Sequence, residues 1–112
     1  MKYFRHYCNA HENPNLGVLI DDWGVEGYGR YWILVELVGE QVSKSNLSYA
    51  YQTSNGNPVL LGIIARLLRM HAQRLCKFCD YLATHRLIDK KAWEEKKLIY
   101  IPKLQELNKR VE

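Results

Sequence analysis

Val25 to Ser43 is the stretch that leaves the chain the least freedom. Tyr28, Tyr31, Trp32, Ile33, Leu34, Val35, Leu37 and Val38 fall inside it. At helical spacing they cover nearly the whole circumference. A helix that is apolar on almost every side must be buried or must pack on a partner. The segment is therefore expected to be the central helix of a core. Gly27 and Gly29 weaken its first turn, so its start is defined only to within a few residues.

The flanking segments are read around that helix. Residues 1–13 are polar and are expected to form an irregular arm. Asn13 is suited to cap a first helix and Pro14 to open it, because proline's missing N–H needs no partner there. Leu16, Leu19, Ile20 and Trp23 then recur at helical spacing, and Gly24 stands where a left-handed cap belongs. Asn46 to Thr53 alternates loosely and suggests one short strand. Ser54-Asn55-Gly56-Asn57-Pro58 is a turn signal. A third helix is expected from Val59 to about Met70, with Leu60, Ile63, Ile64 and Leu67 as its apolar stripe. A fourth is expected from about His71 to Thr84, with Leu75, Phe78, Cys79 and Leu82 facing the core. Arg86-Leu87-Ile88 and Leu98-Ile99-Tyr100-Ile101 read as two extended runs. With the charged segment 89–97 between them they suggest a β-hairpin. Pro102 starts a last helix through the C-terminus, with Leu104 and Leu107 as its contacts.

The order of elements is then helix, long helix, strand, helix, helix, hairpin, helix. This is a mainly α chain with a small β-hairpin, the winged helix-turn-helix arrangement (α-α-β-α-α-β-β-α), in which the second helix of the pair enters the major groove. The 112 residues suit a single domain with an ordinary hydrophobic core. The apolar run from Pro58 to Met70 is too short and too charged to span a bilayer. No apolar run follows the basic residues at the start, so no secretory signal is expected. Three cysteines are an odd number, and reduced thiols fit a cytoplasmic protein.

Charge points to a partner. The formal net charge is +4, but it is uneven. Residues 1–56 carry four Lys/Arg against six acids, and residues 57–112 carry twelve against six. A basic half suggests a surface for a polyanion. Segment 71–84 combines an apolar face with donors on its other faces. Arg74 and Lys77 are expected to reach guanine edges or phosphates, Gln73 adenine, and Tyr81 a phosphate or an unpaired base. The hairpin tip would add Lys90, Lys91, Lys96 and Lys97 as phosphate contacts, which set affinity without reading sequence. Arg66, Arg69 and Arg86 would extend the surface. The competing reading is a solvated basic face, with Glu94 and Glu95 cancelling part of the charge.

Other candidate sites are weaker. His71, Cys76, Cys79 and His85 have a spacing seen in zinc sites, but a core cysteine beside a boundary cysteine explains it better. Cys8 and His11 are a weaker pair still. Asp21 and Asp22 are neighbours on a helix and share no face. Glu36, on the otherwise apolar helix, reads as a structural ion pair with Arg30 or a bond to a backbone amide. Gly24 to Gly29 is glycine-rich but follows no strand, so it is a poor dinucleotide loop. Trp23, Tyr28, Tyr31 and Trp32 read as core, or as a patch for docking a partner. With no nucleophile elbow, P-loop or HExxH, neither enzyme activity nor a cofactor is expected.

Tyr3-Phe4-Arg5-His6, Asn9-Ala10, Pro14-Asn15-Leu16, the run Trp23-Gly24-Val25-Glu26-Gly27-Tyr28-Gly29-Arg30-Tyr31-Trp32 and Val35-Glu36-Leu37 form a pattern. It resembles the start of phage and prophage replisome-organiser proteins, whose N-terminal domain is a winged helix related to that of the DnaD primosome proteins. The resemblance is close over residues 3–53 and looser beyond. It implies a role in phage-type DNA replication initiation, with the domain binding origin DNA or associating with itself. Such proteins use a separate C-terminal region for single strands or the helicase loader. This sequence departs from the family there, reaching Glu112 without a second domain, as a truncated relative, an excised domain or a small phage regulator would; loader recruitment is therefore not carried over from the resemblance. No site residue is carried over from the family.

The resulting expectation is a DNA-binding protein of a mobile element, acting on duplex DNA and, as a second substrate, single strands. The alternative is a protein-interaction domain, either a homodimer or an adaptor to phage or host replication proteins. A zinc-dependent module is a remote third. No membrane partner is expected.

Overall fold

In a computed structural model, residues 1–43 and 48–107 are described. The first long helix, α1, spans Pro14–Gln41. Asn13 caps it as expected: its Oδ1 accepts the backbone N–H groups of Asn15 at 3.0 Å and Leu16 at 3.4 Å. The two helices read from the sequence run on as one element, bent at Gly24, where φ is 73° and ψ −179°. That backbone region is open to glycine and strained for other residues. The bend divides α1 into two helical segments. In the second segment Tyr31, Leu34, Val35 and Val38 are buried, whereas Ile33 and Glu36 face solvent. Tyr31 Oη donates to Leu87 O at 3.2 Å.

Two shorter helices follow the turn. α2 spans Leu61–Leu67 and α3 spans Ala72–Thr84. They pack on each other and are joined by Leu68 to His71. α3 buries the stripe read from its spacing: Leu75, Phe78, Cys79 and Leu82 are all at 0 % exposure. Removing such side chains from water stabilises the fold by about 1.5–3 kcal/mol each. α2 corrects its reading. The buried residues are Ile64, Ala65 and Leu68, while Leu60, Ile63 and Leu67 are exposed at 72 %, 49 % and 42 %. A seven-residue helix whose apolar residues lie on two sides does not say which side the core takes.

The largest correction concerns residues 86–101. The expected β-hairpin, and with it the winged helix-turn-helix assignment, is not seen. Among the described residues there is no strand, only isolated bridges between Ala50 and Tyr100 and between Gln52 and Pro58. The supposed hairpin tip is a helix, α4, spanning Lys90–Lys96. Asp89 caps it by accepting Ala92 N–H at 2.9 Å. Lys-Lys-Ala-Trp-Glu-Glu-Lys are helix formers behind a capping aspartate. α4 buries Trp93 completely. The run after it is extended but turns to another partner: Tyr51 N–H donates to Ile99 O at 2.8 Å and Ile101 N–H to Tyr49 O at 2.9 Å. A single bond, Asp89 N–H to Tyr100 O at 2.8 Å, ties it to the segment before α4.

The short strand expected over residues 46–53 reduces to the bridged Ala50 and Gln52; Asn46 and Leu47 lie outside the described residues. The turn behaves as expected, with Thr53 N–H donating to Asn57 O at 2.7 Å and Gly56 at φ 81°. α5 spans Lys103–Leu107 and buries Leu104 and Leu107; the rest of the expected last helix lies outside the described residues. Residues 1–13 are irregular apart from a 3-10 turn at Ala10–Glu12. This arm packs back on α1: Phe4 and His6 stack on Trp32, with ring centroids 6.0 and 3.9 Å away. Among the described residues, no helix is long and apolar enough to cross a membrane.

Candidate nucleic-acid interface

The basic residues lie on the outside of α2, α3 and α4. Between Arg66 and Lys103 the chain has ten Lys/Arg and four acids. Arg66, Arg69, Gln73, Arg74, Lys77, Arg86, Lys90, Lys91, Lys96 and Lys97 are all exposed, and Tyr81 is half-buried. α2, α3 and α4 each end near a basic residue of positive φ: Arg69 at 58°, Arg86 at 59° and Lys97 at 52°. Glycine usually takes such positions.

Two of the four acids in this region, Asp80 and Asp89, are engaged within the fold, while Glu94 and Glu95 are exposed. Asp80 Oδ1 accepts Trp93 Nε1–H at 2.7 Å and Asp89 caps α4. Among the described residues, one ion pair touches the basic surface, Lys90 to Glu94 at 3.9 Å, with both side chains well exposed. Exposed pairs of that kind are worth ~0–1 kcal/mol and leave the lysine available. The other ion pair, Arg30 to Glu26 at 3.5 Å, lies on α1. It replaces the expected Arg30–Glu36 pair; Arg30 Nε also donates to Leu68 O at 2.9 Å.

Arg86, Lys90 and Lys91 converge. They line a groove of about 370 Å³ with Lys103 of α5. Arg86 supplies one side because its positive φ turns the chain at the end of α3, and the cap at Asp89 starts α4 beside it. Lys103 is a member that the sequence reading missed. Its position after Pro102 gave no signal, since only the fold carries α5 back to the end of α3.

The α3 donors are more occupied. The Arg74 guanidinium lies 4.7 Å from the Trp23 ring centre, and Tyr81 Oη donates to Asp22 Oδ2 at 2.7 Å. Gln73 and Lys77 are exposed without such contacts. Lys97 Nζ lies 4.7 Å over the Trp93 ring. Arg66 and Arg69 sit at the end of α2 and do not line the groove.

The cysteine reading holds: Cys79 is buried, Cys76 is half-buried and Cys8 is exposed. Burial pushes the Cys79 thiol up to about 12, with smaller upward contributions from Cys76 and Asp80 and a downward one from Lys97. A thiol so rarely ionised is a poor nucleophile and a poor metal ligand. Of the aromatic residues expected in the core, Tyr31 is buried, while Trp23, Tyr28 and Trp32 are half-buried.

No family model, curated protein or solved structure matches this chain.

Proposed function

We propose that the chain binds nucleic acid, holding the phosphate backbone along the groove of Arg86, Lys90, Lys91 and Lys103, with the exposed face of α3 beside it. One observation carries the reading: Arg86, Lys90, Lys91 and Lys103 line one groove, and the one acid in its wall among the described residues, Asp89, is used as a helix cap. Such a surface stabilises a polyanion, and its counterion atmosphere makes binding steeply salt-dependent. The resemblance of residues 3–53 to replisome organisers sets the proposed context as replication initiation in a mobile element, or its control.

A fluorescence-anisotropy titration against DNA across a salt series tests this. With four phosphate contacts, affinity for duplex should fall roughly a hundredfold between about 50 and 200 mM salt. The triple reversal Arg86→Glu, Lys90→Glu, Lys91→Glu should remove binding while leaving the circular dichroism spectrum intact. The pair Arg74→Glu, Lys77→Glu reports separately on α3. Affinity that ignores both salt and the triple reversal would sink the reading.

A second reading rests on Leu60, Ile63 and Leu67, an exposed apolar row on α2 and its approach. It proposes a homodimer or an adaptor to replication proteins. Light scattering at high concentration addresses the homodimer, and a strict monomer would remove it.

A further inference from the structure

Beside the cationic groove lies a second cavity of about 360 Å³. Tyr7, Tyr31 and Trp32 form aromatic parts of its wall, and Asn9, Glu12 and Asn13 supply polar groups. Leu87 and Lys103 line both spaces, so the two are neighbours. The cavity is within the size range of small-molecule pockets. Trp32 Nε1 is buried without a hydrogen-bond partner among the described residues. A buried donor left unpaired is costly and rare, and it calls for an explanation where it occurs. Here it belongs to a residue of the cavity wall.

Resting on the nucleic-acid reading above, we propose that the substrate is a single strand: one unpaired base enters the aromatic cavity while the adjoining phosphates lie on Lys103, Arg86, Lys90 and Lys91. Three features support this. Tyr7, 55 % exposed at the cavity wall, offers a ring face that stacks on any base, and cations beside it follow the backbone, which together make a sequence-tolerant single-strand site. The amide of Asn9 and the carboxylate of Glu12 offer donors and acceptors for a base edge or a sugar hydroxyl, which a purely apolar cavity would not; the Asn13 carbonyl oxygen is committed to capping α1. A base paired in a duplex is stacked and cannot enter without first being unpaired and flipped out. The face of α3 that would compete for duplex has Arg74 and Tyr81 already tied to α1.

The test uses the full chain and three labelled probes of about 12 nucleotides, within the span that a small domain covers. They are a single strand, the same sequence as a duplex, and an abasic strand of equal length. The single strand should bind about tenfold more tightly than the other two. Tyr7 is 55 % exposed, so Tyr7→Ala should leave the fold intact. That substitution should weaken the single strand about five- to tenfold and leave the abasic strand unchanged. Lys91→Ala should weaken all three probes and flatten their salt dependence. Equal affinity for single and abasic strands, tighter binding to duplex, or indifference to Tyr7→Ala would each overturn the base-binding cavity while leaving the charged groove standing. No binding to any probe at low salt would overturn both. The comparison of probes on the unaltered chain needs no variant, so a poorly folding substitution cannot block the result.

Discussion

Trp93→Ala should unfold the protein well below the melting temperature of the parent chain. Trp93 is fully buried and is held in place by Nε1–H donation to Asp80 at 2.7 Å. Truncating a buried tryptophan costs ~3–5 kcal/mol, because transfer energy is lost and a cavity remains. Total stability is about 5–15 kcal/mol, so this is a large fraction of it. At roughly 4 °C for each kcal/mol, the melting temperature should fall by more than 10 °C. Thermal denaturation followed by circular dichroism reads the effect. Trp93→Phe should cost far less, since it keeps most of the apolar volume and gives up one bond to an exposed carboxylate. The experiment also separates two folds. At an exposed hairpin tip, Trp93→Ala would be nearly neutral, and a change within about 0.5 kcal/mol would revive that arrangement.

The second large effect is a reversal of sign between two glycines of one helix. Replacing glycine by alanine inside a helix ordinarily gains ~0.5–1 kcal/mol. Gly29→Ala should do so, because a methyl group there meets nothing within 4 Å. Gly27→Ala should instead destabilise by ~1–3 kcal/mol, the cost of overpacking a filled site. A Cβ at Gly27 would come within 2.4 Å of Trp23 Cβ. That atom sits next to the backbone and cannot swing away. Relief would require moving Trp23, which packs edge-on against Phe78, with centroids 5.0 Å apart, and carries Arg74 over its face. Melting temperatures of the two variants should lie on opposite sides of the parent value. If both rise, the close approach of Trp23 to Gly27 is wrong.

These variants mark where the sequence was readable. Asn13-Pro14 and Gly24 announced a helix start and a break, because capping and positive φ are local requirements that few residues meet. The α3 stripe was legible because thirteen residues give several turns of one periodicity. α4 was not recognised, although Asp89 followed by seven helix formers was a signal. The lysines suggest a charged loop, and one tryptophan gives no periodicity. The candidate site was legible in the same partial way. The individual cations could be named, since their exposure follows from their charge, but their grouping into one groove could not.

Residue order alone settled the caps, the bend at Gly24, the turn at Gly56 and the face that α3 buries, since each depends on neighbours within a turn or two of chain. Tertiary packing decided the rest. It chose which side of α2 faces inward, turned Leu98–Ile101 toward Tyr49–Tyr51, buried Trp93, and brought Lys103 into one groove with Arg86. Those outcomes depend on contacts between residues far apart in sequence, whose energies exist only once the whole core has closed.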